Sequence, residues 1–193
     1  MTNPITKTTD LAMTITLKYV KRGDTVVDAT CGTGQDTVSL AKAVGDEGTV
    51  YAFDIQQDAI DQTEQRLKDC GLGNVKLIKD SFVRMAEYVS DESVSAAVFN
   101  LGYLPGGDHS ITTMTEDTLK GLETATELIK AGGIVNVVLY DGHHEGQHEK
   151  EAVLKWAESL DASKYHVAYV SMMNQKNNPP EILWITKKTL DVL

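Results

Sequence analysis

Short β-branched runs alternate with longer amphipathic stretches along this chain, and that alternation restricts its possible folds more than any other feature. The runs lie at residues 25–28, 49–54, 75–78, 95–99 and 134–139. Apolar residues recur at helical spacing over 57–70, 115–130 and 148–160, and a helix is also expected after the first run. Five strands with intervening helices predict a parallel sheet covered on both faces, because βαβ crossovers are right-handed and each helix must bury its apolar stripe. The loops after the strands then line one edge, where open α/β sheets bind ligands.

The two ends break the rhythm. Residues 165–172 and 182–186 are strand-like and are joined by 173–180 with no helix, so they are expected to pair antiparallel. The head, residues 5–20, sets Ile5, Leu11, Ile15, Leu17 and Val20 in a threonine-rich segment. It reads as a helix beside the sheet, although threonine is a poor helix former. With 193 residues, one domain spanning 1–193 is the expectation, with 1–22 as its N-terminal helical segment.

Charge sets a further limit. Eighteen Lys and Arg against 28 Asp and Glu give −10, which argues against broad, salt-driven adhesion to nucleic acid or anionic membrane. No apolar run approaches the roughly 20 residues of a transmembrane helix, and the N-terminus does not resemble a secretory signal. Cys31 and Cys70 are too few for a disulfide scaffold, so a cytoplasmic protein with free thiols is expected.

The first strand runs into Asp28-Ala29-Thr30-Cys31-Gly32-Thr33-Gly34-Gln35-Asp36. Gly32 and Gly34 allow a tight turn and close approach of a ligand to the backbone. Thr37 stands where the dinucleotide fingerprint has its third glycine, and no P-loop lysine follows, so both phosphate-binding readings lose ground. A second acid, Asp54, ends strand two, 22 residues past Gly32, where a carboxylate can accept hydrogen bonds from a ribose diol.

These residues resemble the class I S-adenosylmethionine-dependent methyltransferases, over essentially the whole chain. The resemblance implies a Rossmann-like, doubly wound, seven-stranded α/β sheet, mostly parallel with an antiparallel last strand. It also implies S-adenosyl-L-methionine as cofactor. Asp28, the Thr30–Gly34 backbone including Cys31, and Gln35 and Asp36 would hold its methionine end. Asp54 would hold the ribose, with Ile55 and Gln56 beside the adenine and Asp80-Ser81 at its amino group. For Asp80 a helix cap or turn is an equal alternative. Cys31 reads as a small loop residue and not as a nucleophile, since no base is near it in sequence.

The loop after strand four bears on the acceptor. Amino-group methyltransferases carry Asn/Asp-Pro-Pro-Tyr there; Asn100 and Tyr103 match its first and fourth positions, while Leu101 and Gly102 replace the prolines. An Asn oxygen can accept a hydrogen bond from an amine and orient its lone pair, and Tyr offers a flat face. A nitrogen acceptor is therefore favoured, with Leu104, Pro105 and Gly106 beside the substrate; the alternative is a glycine-rich turn with a buried Tyr. An alkylamine with a lysine-like pKa is neutral in roughly one molecule in two thousand at pH 7, so a proton must also be removed. Asp108, His109 and His143 are the candidate proton acceptors.

Residues 144–148 read H-E-x-x-H, a zinc-peptidase signature. Gly146 falls inside the turn that the signature needs as helix, and no third ligand is evident, so no metal site is expected. Together with Tyr140-Asp-Gly-His and Asn178-Pro-Pro-Glu-Ile-Leu, the motifs resemble the small bacterial proteins labelled putative rRNA methylases. That family includes tRNA methyltransferases that convert 5-aminomethyl-2-thiouridine at the wobble position into its 5-methylaminomethyl form. The resemblance implies the tRNA anticodon region as partner, bound by a monomer or homodimer, with an rRNA base, a small molecule or a protein as the alternative acceptor. A cofactor-binding protein without turnover is a more distant alternative. Asn178 and Pro179, between the last two strands, would wall the base pocket. Segments 1–22, 76–84 and 176–188 are net basic, and Arg84 and Lys176 are expected near the cofactor edge, predicting a small basic footprint for RNA.

Overall fold

The computed structural model describes residues 7–101, 115–140, 144–176 and 178–189. In chain order the elements are α1 (Thr8–Thr16), β1 (Thr25–Asp28), α2 (Gln35–Val44), β2 (Thr49–Asp54), α3 (Gln57–Asp69), β3 (Val75–Lys79), a 3-10 helix (Phe82–Glu87), β4 (Val94–Leu101), α4 (Thr115–Leu128), β5 (Ile129–Leu139), α5 (His144–Glu158), β6 (Tyr165–Val170) and β7 (Glu181–Lys187). Seven strands form one sheet in the order β3-β2-β1-β4-β5-β7-β6. β7 runs antiparallel to both neighbours and the remaining pairings are parallel, as expected. Sequence order reverses between β1 and β4, so the ends of these two strands open the crevice in which doubly wound sheets hold ligands.

The burial patterns explain the strands. All of β4 is buried except Asn100, and Ile134–Leu139 of β5 is buried throughout, as central parallel strands covered on both faces must be. One face packs Phe53, Phe82, Phe99 and Leu122; the other packs Val26, Leu40, Val50 and Val98. Gly121 belongs to this packing, since a Cβ there would lie 2.4 Å from the Phe82 ring.

Several boundaries differ from expectation. β5 begins at Ile129, which pairs with Val94, and then bulges through Gly132 (φ 77°) before pairing resumes at Ile134 with Ala96. That early strand stops α4 at Leu128 rather than at residue 130. The head helix is shorter than residues 5–20 and seats two of its threonines inward. Thr8 and Thr16 are buried, and Thr16 donates to the Ala12 carbonyl at 2.8 Å, which removes the cost of a hydroxyl on a packed face. Ala12 packs with Val138 and Ile182, fixing α1 beside the ends of β5 and β7.

Helix α5 starts at His144 and not at residue 148, so Gly146 does not interrupt the helix as the sequence reading held. One interior glycine costs about 1 kcal/mol relative to alanine, and the buried Val153 and Ala157 later in the helix offset that through packing. Gly146 therefore does not speak against the H-E-x-x-H signature. Among the described residues no group of three or more His, Cys, Asp or Glu could hold a metal ion, and no helix is long and apolar enough to cross a membrane.

Candidate active site

Three acids gather at the crevice. Asp28 closes β1 and is fully buried; Thr37 Oγ1 donates to its Oδ2 at 2.6 Å and the Thr30 N–H to its Oδ1 at 3.3 Å. Burial pushes its carboxyl up to about 7, with the charges of Asp36 and Asp54 adding and the two hydrogen bonds opposing. Thr37 thus has a reason to replace the third glycine of the dinucleotide pattern. It shares the buried stripe of α2 with Leu40, Ala41 and Val44, and its hydroxyl must find a partner there.

Asp54 closes β2 and organises the glycine turn. Its Oδ2 accepts from the Gly32 N–H and its Oδ1 from the Gln56 N–H, both at 3.0 Å. Burial raises this carboxyl as well, against the pull of those hydrogen bonds. Thr63 of α3 donates to the Gly32 carbonyl at 2.9 Å, so the turn is tied on both sides. Gly34 caps α2 in the left-handed region at φ 79°. A Cβ there would lie 2.9 Å from the Thr63 side chain and 3.0 Å from its Cα. Gly34→Ala is expected to cost about 2–4 kcal/mol, from left-handed backbone plus overpacking, read as a lower urea midpoint at unchanged slope.

Cys31 is buried and its thiol is pushed up by burial and by the Asp28 charge, so it stays protonated and is no nucleophile at neutral pH. Ile55 is 53% exposed, an apolar side chain presented to solvent beside Asp54. Gln56 stands at the N-terminus of α3 and Gln35 at that of α2.

Asn100 faces α2 across the crevice. Its backbone N–H donates to Thr30 Oγ1 at 2.8 Å, and its Nδ2 donates to Asp36 Oδ2 at 2.7 Å. Burial raises the Asp36 carboxyl, the Asn100 bond opposes this, and the charge of Asp10 on α1 adds to the rise. Leu101 is core, 1% exposed, and packs in the cluster that holds Phe99 and Leu139. Tyr103, Leu104, Pro105, Gly106, Asp108, His109 and His143 lie outside the described residues.

The acid after β3 is otherwise engaged. Asp80 accepts from the Tyr88 hydroxyl at 2.9 Å and pairs with Arg84 at 2.9 Å, and the tyrosine bond, ahead of the arginine, holds its carboxyl low. Ser81 caps the 3-10 helix through Val83. Arg84 also pairs with Glu87 at 2.6 Å, so its charge is locally answered and adds little to the expected basic footprint. Lys187 pairs with Glu92 at the far end of β7, and Lys176 is exposed in the β6–β7 connection.

Beside the crevice a groove of about 550 Å³ is lined by Lys7, Thr8, Tyr140, Asn174, Gln175 and Pro179, among others. Asn178, expected here with Pro179, instead takes the left-handed turn position (φ 43°), a conformation asparagine tolerates, and is not in the lining. Lys150 of α5 pairs with Glu181, which also accepts from Ser171 at 2.8 Å, and this ties the hairpin that carries the groove wall. Lys7 and Thr8 carry no motif in the sequence, and Tyr140 enters there only as the first residue of Tyr140-Asp-Gly-His. Only the fold brings the head helix, the end of β5 and the hairpin together.

A family model described as "Putative rRNA methylase" matches residues 50–186. The chain belongs to that family. A second model, for protein-L-isoaspartate(D-aspartate) O-methyltransferases, matches only residues 3–82, the half that holds Asp28, the glycine turn and Asp54. A chloroplastic tRNA (mnm(5)s(2)U34)-methyltransferase of Arabidopsis thaliana is 39% identical over 184 residues, 90% of this chain and 67% of that protein. Among solved structures, a putative rRNA-methylase from Clostridium thermocellum is similar at 44% identity and a TM-score of 0.92, over 97% of this chain and 100% of that one. A putative methyltransferase from Streptococcus mutans, in complex with SAH, is similar at 33% identity and a TM-score of 0.85, over 97% and 99%. This rRNA methylase family member is an S-adenosyl-L-methionine-dependent methyltransferase. Its crevice fits that cofactor: Asp28, Asp36 and Asp54 stand together with raised carboxyls, a set of acceptors whose clustered negative charge suits a ligand carrying net positive charge.

Proposed function

We propose that this protein is an RNA N-methyltransferase that methylates the aminomethyl group of 5-aminomethyl-2-thiouridine at the tRNA wobble position. The observation that carries this reading is the Asn100 carboxamide, whose NH2 end is taken by Asp36 at 2.7 Å, leaving its oxygen to receive an amine at the crevice. The likeness to a tRNA (mnm(5)s(2)U34)-methyltransferase over 90% of the chain supports the substrate.

On this reading Asp36 and the 30–34 backbone hold the amino-acid end of the cofactor, Asp28, buried behind them, braces the Thr30 N–H and contributes charge, Asp54 accepts from the ribose diol, and Ile55 lies against the adenine. When bound, S-adenosyl-L-methionine would supply a sulfonium methyl: the substrate ammonium gives one proton to solvent, its freed lone pair forms the N–C bond as the S–CH3 bond breaks, and the products are a secondary ammonium and a neutral thioether. The residues orient, and in-line positioning of this kind supplies most of the rate. Asn100 Oδ1 accepts one amine N–H, which turns the lone pair towards the crevice. The groove beside Tyr140 offers a ring face for stacking a base, with the Asn174 and Gln175 amides at hand for its polar edge. The anticodon region of a cytoplasmic tRNA would lie over this face.

Incubation of the protein with methyl-labelled cofactor and tRNA bearing 5-aminomethyl-2-thiouridine is expected to place label in the wobble nucleoside, eluting as its methylaminomethyl derivative. Label in another nucleoside, or label in a cell extract that survives ribonuclease, overturns the assignment.

A further inference from the structure

The two ends of an asparagine side chain have nearly the same shape and opposite chemistry. An acceptor amine needs the oxygen end. If the NH2 end were presented instead, it would donate to the amine's lone pair and occupy the electrons that must attack the methyl group. A residue at the Asn100 position is therefore productive in one flip state only.

The structure holds a device that selects this state. Asp36 enters from the first turn of α2 and Asn100 from the end of β4, 64 residues apart in sequence, and they meet at the point where strand order reverses. An ionised carboxylate has no proton to donate, so only the NH2 end of Asn100 can face it. The 2.7 Å separation is that of a charge-assisted bond. The other end of the residue is fixed by the bond from its backbone N–H to Thr30 Oγ1. Side-chain amide and backbone are each held by a different element, and Oδ1 is left turned away from Asp36.

We propose that Asp36 is a positioning residue for methyl transfer, which acts through Asn100 by locking its carboxamide with Oδ1 towards the acceptor nitrogen. The proposal rests on the reading of Asn100 as the amine-receiving group, and it assigns Asp36 a task beyond holding the cofactor. Asp36→Ala removes the lock. Asp36→Asn keeps the shape and one hydrogen bond but loses the polarity, because two facing carboxamides can pair in either sense.

The test has a spectroscopic arm that needs no RNA. In 15N-labelled protein, the Asn100 side-chain NH2 pair is assigned by its loss in Asn100→Ala. It is expected downfield and slow to exchange with solvent in the wild type, shifted partway back in Asp36→Asn, and at the free-amide position in Asp36→Ala. The kinetic arm uses the tRNA substrate above. kcat, read at saturating cofactor for each variant so that any weaker grip on the cofactor is separated from it, is expected to fall about two- to fivefold in Asp36→Asn and about ten- to a hundredfold in Asp36→Ala, the range of one hydrogen bond to a charged group. An Asn100 resonance unmoved by Asp36→Ala overturns the proposal. So does a cofactor Kd raised more than about tenfold at unchanged saturated kcat, which would make Asp36 a cofactor holder only. Asp36→Asn falling as far as Asp36→Ala with a displaced acid limb in the pH profile overturns it too, since Asp36 would then be the proton acceptor. Wild-type protein that leaves this tRNA unmethylated sinks the substrate reading, while the spectroscopic arm still decides whether Asp36 holds Asn100.

Discussion

Asp54→Ala is expected to raise the dissociation constant for S-adenosyl-L-methionine by about two orders of magnitude or more. The carboxylate has roughly four acceptor positions, and the Gly32 and Gln56 N–H groups fill two of them, with the Ile55 N–H adding a further backbone interaction. What is left can accept from a ribose diol, and hydrogen bonds to a charged group contribute about 1.5–3 kcal/mol each. The same change frees these backbone N–H groups, so the turn itself loosens. Thr63→Val separates the two effects: it cuts the tie to the Gly32 carbonyl while leaving the carboxylate in place. Calorimetric titration is expected to show a large rise in Kd for Asp54→Ala and a rise below about fivefold for Thr63→Val. Thermal melting gives a second reading, because cofactor at a hundred times the wild-type Kd adds about 2.7 kcal/mol to wild-type stability and almost none to Asp54→Ala. Equal losses in the two variants would mean that Asp54 matters only as a brace for the turn.

The residues at strand ends were the ones legible from sequence. A β-branched run fixes where a parallel strand lies, a parallel strand fixes which residue stands at its carboxyl end, and Asp28 and Asp54 follow from that alone. Pairing of β7 with β6 followed from a hairpin-length connection that leaves no room for a crossover helix, whereas the place of β7 between β5 and β6 is set by the sheet and not by that connection. The helix starts were less legible. At α5 the polar run around Gly146 has no strong start signal, and the packing of residues further along decides where the helix begins.

Within the site, contacts between elements escaped the sequence. Asp36 was placed with the glycine turn because it is near it in the chain, and its bond to Asn100 comes from a register between α2 and β4 that no local pattern encodes. Thr37 could have been read: a threonine on an otherwise apolar i, i+3, i+4, i+7 stripe demands a buried partner, and Asp28, nine residues earlier at the end of β1, is the acid it meets. Asp80 shows the opposite case. Its position after β3 suits an adenine contact, but Tyr88, Arg84 and the Ser81 N–H already use its oxygens.

Stability and cofactor affinity are expected to respond to pH in opposite directions, and Asp28 is the reason. Its carboxyl titrates at about 7 in the folded chain, raised chiefly by burial, against 3.8 as the ordinary value. Between these limits the folded state holds a proton that the unfolded state has lost, so stability is fully present below about pH 4 and falls as pH rises towards 7. The span corresponds to about 4 kcal/mol at most. Asp36, Asp54 and Glu149 are raised as well and act in the same sense, whereas Asp24, Asp161 and Glu181 are lowered, and their contributions change at more acid pH. Urea unfolding of the free protein is therefore expected to show a higher midpoint at pH 5.5 than at pH 8. The cofactor carries a sulfonium, an ammonium and one carboxylate, a net single positive charge, and it favours the ionised acids. Its affinity is expected to rise about tenfold or more from pH 6 to pH 8, with proton release visible as a dependence of the binding enthalpy on buffer. Asp28→Asn, which cannot ionise, is expected to flatten most of the stability slope and to bind cofactor more weakly at pH 8. A free protein whose midpoint stays level from pH 5.5 to 8 would show that Asp28 is ionised throughout, with the Thr37 and Thr30 bonds alone outweighing its burial.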